Sequence, residues 1–271
     1  MTTDYYANKA LSHSKLSCLA QNPMEFKMRY VDDPPTLPPK ESDAFAMGHA
    51  VHCLALEPEK MDERFAVAPK VDRRTTAGKV AWAEYLADCE GKTVLDEQDH
   101  ADAIACVQAL NNHPEFAAIM AQPRRVEVPF EFDLFGHKFK AKPDCIVDSM
   151  RLIVDIKTTD DASPHRWQCS AVDYGYHRQA WIYKRAIEAA CGAEYRFIFA
   201  VVEKPKPSTR GIPPTVALYE LNDETLLMGR HDARMLVEEY EKRLETNNWQ
   251  QPYSSGIVPL RLPKRRVYSE E

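Results

Sequence analysis

A chain of 271 residues is long enough to bury a substantial core in one large domain or two small ones. Its net charge of −6 excludes a protein that coats nucleic acid by bulk positive charge, because backbone binding depends on Lys and Arg displacing counterions, but it leaves room for a local basic groove. No apolar run approaches the ~18 residues of a bilayer-spanning helix, the N-terminus lacks the basic-then-apolar order of a secretory signal, and seven scattered cysteines without a CxxC pair indicate neither a disulfide framework nor a zinc or iron–sulfur site. A cytoplasmic protein with no membrane partner is expected.

In chain order, Ser12 to Tyr30 reads as two short helices. Asn22 as N-cap, Pro23 at the first helical position and Glu25 three residues after the cap announce the second. Val31 to Ser42 holds four prolines, which exclude regular helix. Asp43 to Glu57 carries an apolar helical pattern stopped by Pro58, and Gly48 and His52, four residues apart, share one face of it. Ala66 to Thr76 is expected as a loop, Ala77 to Glu90 and Asp96 to His113 as amphipathic helices, and Pro114 to Pro123 as a short helix and turn.

From Arg124 the period changes to two. Val126 to Phe132, His137 to Lys142, Cys145 to Asp148 and Arg151 to Lys157 are predicted as a meander of antiparallel strands, with a turn near Asp133 to Gly136. Lys138, Lys140 and Lys142 fall on one solvated face of it, Phe139 and Ala141 on the other. A loop containing Pro164 follows, then a helix from Tyr176 to Cys191 ended by Gly192, a buried strand Glu194 to Glu203, an edge strand Thr215 to Leu221 and a long helix from Asp223 to about Glu245. The sum is an α/β (mixed α+β) fold, a central mixed sheet flanked by helices. We expect one domain over residues 1–271: a mainly helical part to 123, a core over 124–250 and an extended arm over 251–271.

The chemistry concentrates between Lys142 and Thr159. Strand alternation turns Asp155 and Lys157 the same way, one hairpin from Asp144. Two carboxylates offer hard oxygen ligands suited to Mg²⁺ or Mn²⁺, and an ammonium beside them can hold the attacking water and offset charge on a phosphorane. A surface hairpin with an ordinary Asp/Lys pair explains the same spacing.

The order of motifs is more specific than any one of them. Gly48-x-x-x-His52, Pro143-Asp144, Asp155-Ile156-Lys157 and Gln179-x-x-x-Tyr183 resemble the PD-(D/E)xK nuclease superfamily in its RecB-like branch. Gly48 to Pro58, with Pro69 to Lys79, resembles most closely the C-terminal nuclease domain of RecE (exonuclease VIII), over about Tyr5 to Tyr253. The resemblance implies a PD-(D/E)xK restriction-endonuclease-like core and an Mg²⁺-dependent 5′-to-3′ exonuclease, with Mn²⁺ as a substitute. Such an enzyme acts on linear double-stranded DNA as a toroidal tetramer, releases 5′-mononucleotides, and leaves 3′ tails for a single-strand annealing protein of RecT type. It also implies a phage or prophage origin. Carried over, His52, Asp144 and Asp155 become metal ligands, Lys157 positions the water, and Gln179 and Tyr183 line the site, contacting DNA or buttressing Lys157. Glu127 is a further candidate ligand that an exposed strand glutamate explains equally well.

The basic clusters Arg73-Arg74, Arg124-Arg125, Lys138/Lys140/Lys142, Lys204/Lys206/Arg210 and Lys264-Arg265-Arg266 then suggest a phosphate track, with Arg73 and Arg74 as first candidates to grip the 5′ strand. A RecB-like endonuclease or single-strand nuclease, or a catalytically silent DNA-binding or scaffold relative, remains open from the residues themselves.

Overall fold

The fold is a computed structural model describing residues 5, 8–38, 43–250 and 256–259. Helices α1 (His13–Gln21) and α2 (Pro23–Phe26) begin where Ser12 and Asn22 accept the backbone N–H of Lys15 and Glu25 on their side chains. A π-helical turn, Lys27–Val31, ends this entrance. Next come α3 (Asp43–Leu56), α4 (Met61–Arg64), β1 (Phe65–Val67), α5 (Thr76–Asp88), β2 (Thr93–Leu95), α6 (Glu97–Asn112) and α7 (Pro114–Met120). The sheet-rich half holds β3 (Arg125–Val126), β4 (Phe130–Leu134), β5 (His137–Ala141), β6 (Cys145–Val147) and β7 (Leu152–Thr159). It continues through α8 (Pro164–Asp173), α9 (Tyr176–Cys191), β8 (Arg196–Glu203), β9 (Val216–Glu220) and α10 (Asp223–Thr246).

The central sheet has the order β3-β6-β7-β8-β9, with β7 parallel to β8 and every other pair antiparallel. Because β7 lies in the middle, both of its faces are buried. Leu152, Val154 and Ile156 pack toward α3 and α6, whereas Ile153 packs with Trp167 of α8 and Ala180 and Ile187 of α9. The alternation in the sequence therefore separates two buried faces, not a core face from a solvated one. A third apolar cluster joins α1, α2, the β4–β5 hairpin, α9 and α10.

The expected meander is divided. Glu127 takes a left-handed backbone (φ 53°), so the run from Val126 to Phe132 breaks after β3, and β4 pairs only with β5 in a separate hairpin. Phe135 and Gly136, at φ 51° and 81°, form its two-residue turn where one was predicted. Lys140 is not solvated. It is 4% exposed, and its ammonium donates to the carbonyls of Tyr5 and Asn8, which cover it, whereas Lys138 stays exposed. Two further segments carry structure where a loop was expected: β1 overlaps the start of the expected loop Ala66 to Thr76 and pairs in parallel with β2, and α8 starts at Pro164, a residue well suited to a first helical turn. Of the expected C-terminal arm, residues 251–255 and 260–271, including Lys264-Arg265-Arg266, lie outside the described residues.

Candidate active site

Pairing between β6 and β7 brings the two carboxylates together. Cys145 faces Val154, so the next pair in register would be Asp144 with Asp155. There the ladder stops, and the Asp144 side chain takes over: its Oδ2 accepts the N–H of Ile156 at 2.9 Å. The same oxygen lies 3.2 Å from Nδ1 of His52, projected from α3 on one side of the sheet. Glu127 donates its backbone N–H to the Asp144 carbonyl at 3.0 Å, and its left-handed turn aims the side chain inward. Ligand atoms of His52, Glu127 and Asp144 all lie within 4.8 Å of one another.

Asp155 and Lys157 lie on the other face of β7. Asp155 is fully buried, forms an ion pair with Lys157, and accepts at Oδ1 from the Gln179 amide of α9 at 2.8 Å. Gln179 thus orients Asp155, not Lys157. Oδ2 of Asp155 is buried and is the oxygen that pairs with the Lys157 ammonium. Tyr183, one helical turn beyond Gln179, is half-buried with its ring 6.3 Å from that of Phe197, and burial raises its pKa well above the usual value, with Asp155 and Asp144 adding to the shift.

Burial sets the charge states. It raises Asp144 to about 7, against the opposing pull of Lys157, and raises Asp155 to about 6, where the neighbouring charge of Asp144 adds to the effect. For Lys157, burial opposes the ammonium, yet Asp155 and Asp144 outweigh it and its pKa rises. Burial, then the charge of Lys157, lowers His52, favouring the neutral imidazole that a metal requires. A neutral donor and buried carboxylates that prefer a cation nearby make a donor set that fits a divalent metal.

Residues 12–258 match a family described as a PDDEXK-like domain of unknown function (DUF3799). The chain belongs to this family.

The PDDEXK-like domain also has relatives among solved structures. A protein from Eubacterium rectale, whose name carries only a provisional exonuclease assignment, aligns over 98% of this chain and 96% of its own with a TM-score of 0.60 at 15% identity. A phage-related exonuclease from Haemophilus somnus 129PT gives 0.36 at 16% identity, covering 64% of this chain and 85% of that one. An alkaline exonuclease from Laribacter hongkongensis gives 0.30 at 14%, covering 64% and 84%. Only the first likeness is close enough to support the fold. No curated protein sequence matches the chain.

Within this PDDEXK-like domain, the structure gathers His52, Asp144, Asp155, Lys157 and Gln179, together with Glu127, the further candidate from the sequence. Gly48 lies against β7, where a Cβ would be 3.5 Å from Thr158 Oγ1, an ordinary contact. The basic clusters are largely engaged. Arg74 pairs with Asp72, Arg73 lies 3.6 Å from the centre of the Trp82 ring, Arg125 pairs with Asp148, and Lys142 pairs with Glu127. Lys204 and Arg210 pair with Asp160 and Asp102. A cavity of 620 Å³ opens at the opposite end of the sheet, lined by Arg151, Tyr195 and Arg196, and shares no residue with the cluster. No helix among the described residues is long and apolar enough to cross a membrane.

Proposed function

We propose that the chain is an Mg²⁺-dependent nuclease of RecE type, which hydrolyses phosphodiesters of linear duplex DNA from 5′ ends to mononucleotides and leaves 3′ single-stranded tails. A toroidal homotetramer and a RecT-type annealing partner extend the same reading. What supports it most is one convergence: His52, Glu127 and Asp144 within 4.8 Å of one another, beside the buried Asp155–Lys157 pair.

His52, Asp144 and Asp155 would hold the metal, with Glu127 available once Lys142 releases it. A divalent cation there would polarise the scissile phosphate and acidify a water. The chain's own groups do the rest. Gln179 fixes Asp155 at Oδ1, and Oδ2 pairs with the Lys157 ammonium. Lys157, held protonated by the carboxylates, donates hydrogen bonds to the incoming water or to the phosphate and offsets the charge that gathers there. The Ile156 N–H fixes the rotamer of Asp144.

The test is release of nucleotides from a linear duplex and from a closed circle, each with Mg²⁺ or EDTA. Release from the linear form alone, abolished by EDTA, is expected. Cutting of circles would move the enzyme to the endonuclease class, and binding without hydrolysis under any metal would make it a silent DNA-binding protein.

A further inference from the structure

A run of aromatic rings leads from the half-buried Lys157 to solvent. The Lys157 ammonium lies 5.1 Å from the centre of the Tyr176 ring, which stacks at 5.2 Å and 26° on Trp167. Tyr174 follows at 5.6 Å and 32° from Tyr176. Trp167 is 4% exposed and Tyr174 is 55% exposed, so the run is anchored at one end and open at the other. Gly175, between the two tyrosines at φ 68°, makes this possible: a Cβ there would lie 2.5 Å from Arg178 Nη2.

Tyr174 also lines a cavity of 210 Å³ between α1, the α8–α9 turn and α10. Ser17, Gln21, Val172, Arg178 and Asp232 supply other parts of its wall. Arg178 is 4% exposed, pairs with Asp232 and donates to Ser17 Oγ at 2.8 Å, while its Nε makes no hydrogen bond among the described residues. The lining therefore offers an aromatic wall, donors from Arg178 and Gln21, and acceptors from Asp232 and Gln21. A phosphate would meet the Asp232 carboxylate. The carboxylate repels an anion but can accept a hydrogen bond from a neutral planar ring with donors and acceptors along its edge.

We propose that this cavity is a subsite for one unpaired nucleobase, which stacks on Tyr174 and turns its polar edge toward Arg178, Gln21 and Asp232. The proposal rests on the nuclease reading and deepens it. With the scissile phosphate at Lys157, the flanking base reaches outward along the rings, so the strand enters the site with that base out of its pair. Stacking on an exposed ring tolerates any base, as an enzyme that consumes arbitrary sequence requires.

The experiment titrates the full chain, without metal, into a single-stranded oligonucleotide carrying 2-aminopurine at its 5′ end, and then displaces that strand with unlabelled competitors whose 5′ end carries a base or is abasic. Saturable quenching is expected with wild type and, within about twofold, with Tyr174→Phe; Tyr174→Ala should bind about tenfold more weakly, the loss of one base–aromatic stack. Circular dichroism checks that Tyr174→Ala is folded, and Gln21→Leu, at an exposed lining position, should also weaken the quenched complex. Equal affinity for the abasic end, or wild-type quenching by Tyr174→Ala, would overturn the proposal. The readout needs no hydrolysis, so the two ideas fail separately. DNA degradation without quenching removes the base subsite alone, whereas quenching without Mg²⁺-dependent degradation removes the nuclease reading and leaves the base site standing.

Discussion

Lys157 answers to two buried carboxylates, and its charge is the product of that competition. Lys157→Ala should keep the fold and the metal site while lowering turnover by about 10²-fold or more, the scale of losing a positioned proton donor. Asp144→Asn should lose metal affinity as well, which calorimetric titration with Mn²⁺ would show; undiminished affinity would remove Asp144 from the ligand set. Proton and metal also compete. Because burial raises Asp144 to about 7 and Asp155 to about 6, the metal-free native state holds protons there that an unfolded chain would release, and its stability falls as pH rises through that window. A cation takes the protons' place, so Mg²⁺ should raise Tm more at about pH 8 than at about pH 5.5. Equal gains at the two pH values would contradict this. The sequence exposes Asp155 and Lys157 because strand alternation is strict there. It offers Glu127 only as one of two equal readings, since Val126-Glu127-Val128 has the same alternation and nothing local marks the left-handed break that turns it inward. Lys140 is hidden for another reason: the residues that bury it, Tyr5 and Asn8, are far away in the chain.

Elements with long, regular periods or clear caps were legible, and short ones without either were not. The helices α3, α6, α9 and α10 and the strands β7 and β8 follow the pattern read from the sequence, because each buries a continuous face. With three residues each, β1 and β2 are too short to show a period, and α8 buries only Trp167, so its composition resembles a loop. Packing between elements makes a paired expectation about glycine. A Cβ at Gly229 of α10 would lie 2.2 Å from the His177 carbonyl of α9. Gly229→Ala should therefore force the helices apart and cost about 1–3 kcal/mol in urea denaturation. Gly48→Ala, with its nearest atom at 3.5 Å, should leave stability unchanged or raise it by about 0.5–1 kcal/mol, as removal of a helix-interior glycine does. Reversal of that order would mean that α10 and α3 pack differently from this description.

At the scale of the molecule, the net charge of −6 and the pairing of Arg74, Arg125, Lys142, Lys204 and Arg210 with acids leave the phosphate track suggested by the sequence mostly neutralised within one chain. A proposed toroid would gather the remaining positive charge from several subunits, and sedimentation velocity should then show a tetramer; a monomer that degrades DNA at full rate would rule out that assembly. The family and the mixed sheet were legible as a whole because four motifs in one order constrain topology more tightly than any local propensity does. The most direct measurement is digestion of a linear duplex labelled at either its 5′ or its 3′ end, by wild type and Lys157→Ala side by side, with Mg²⁺ or EDTA. Early release of 5′ label as mononucleotide, with the 3′ label retained and no release by Lys157→Ala or in EDTA, is the expected result. Equal release of both labels, or full activity in Lys157→Ala, would contradict the proposed polarity or the proposed site.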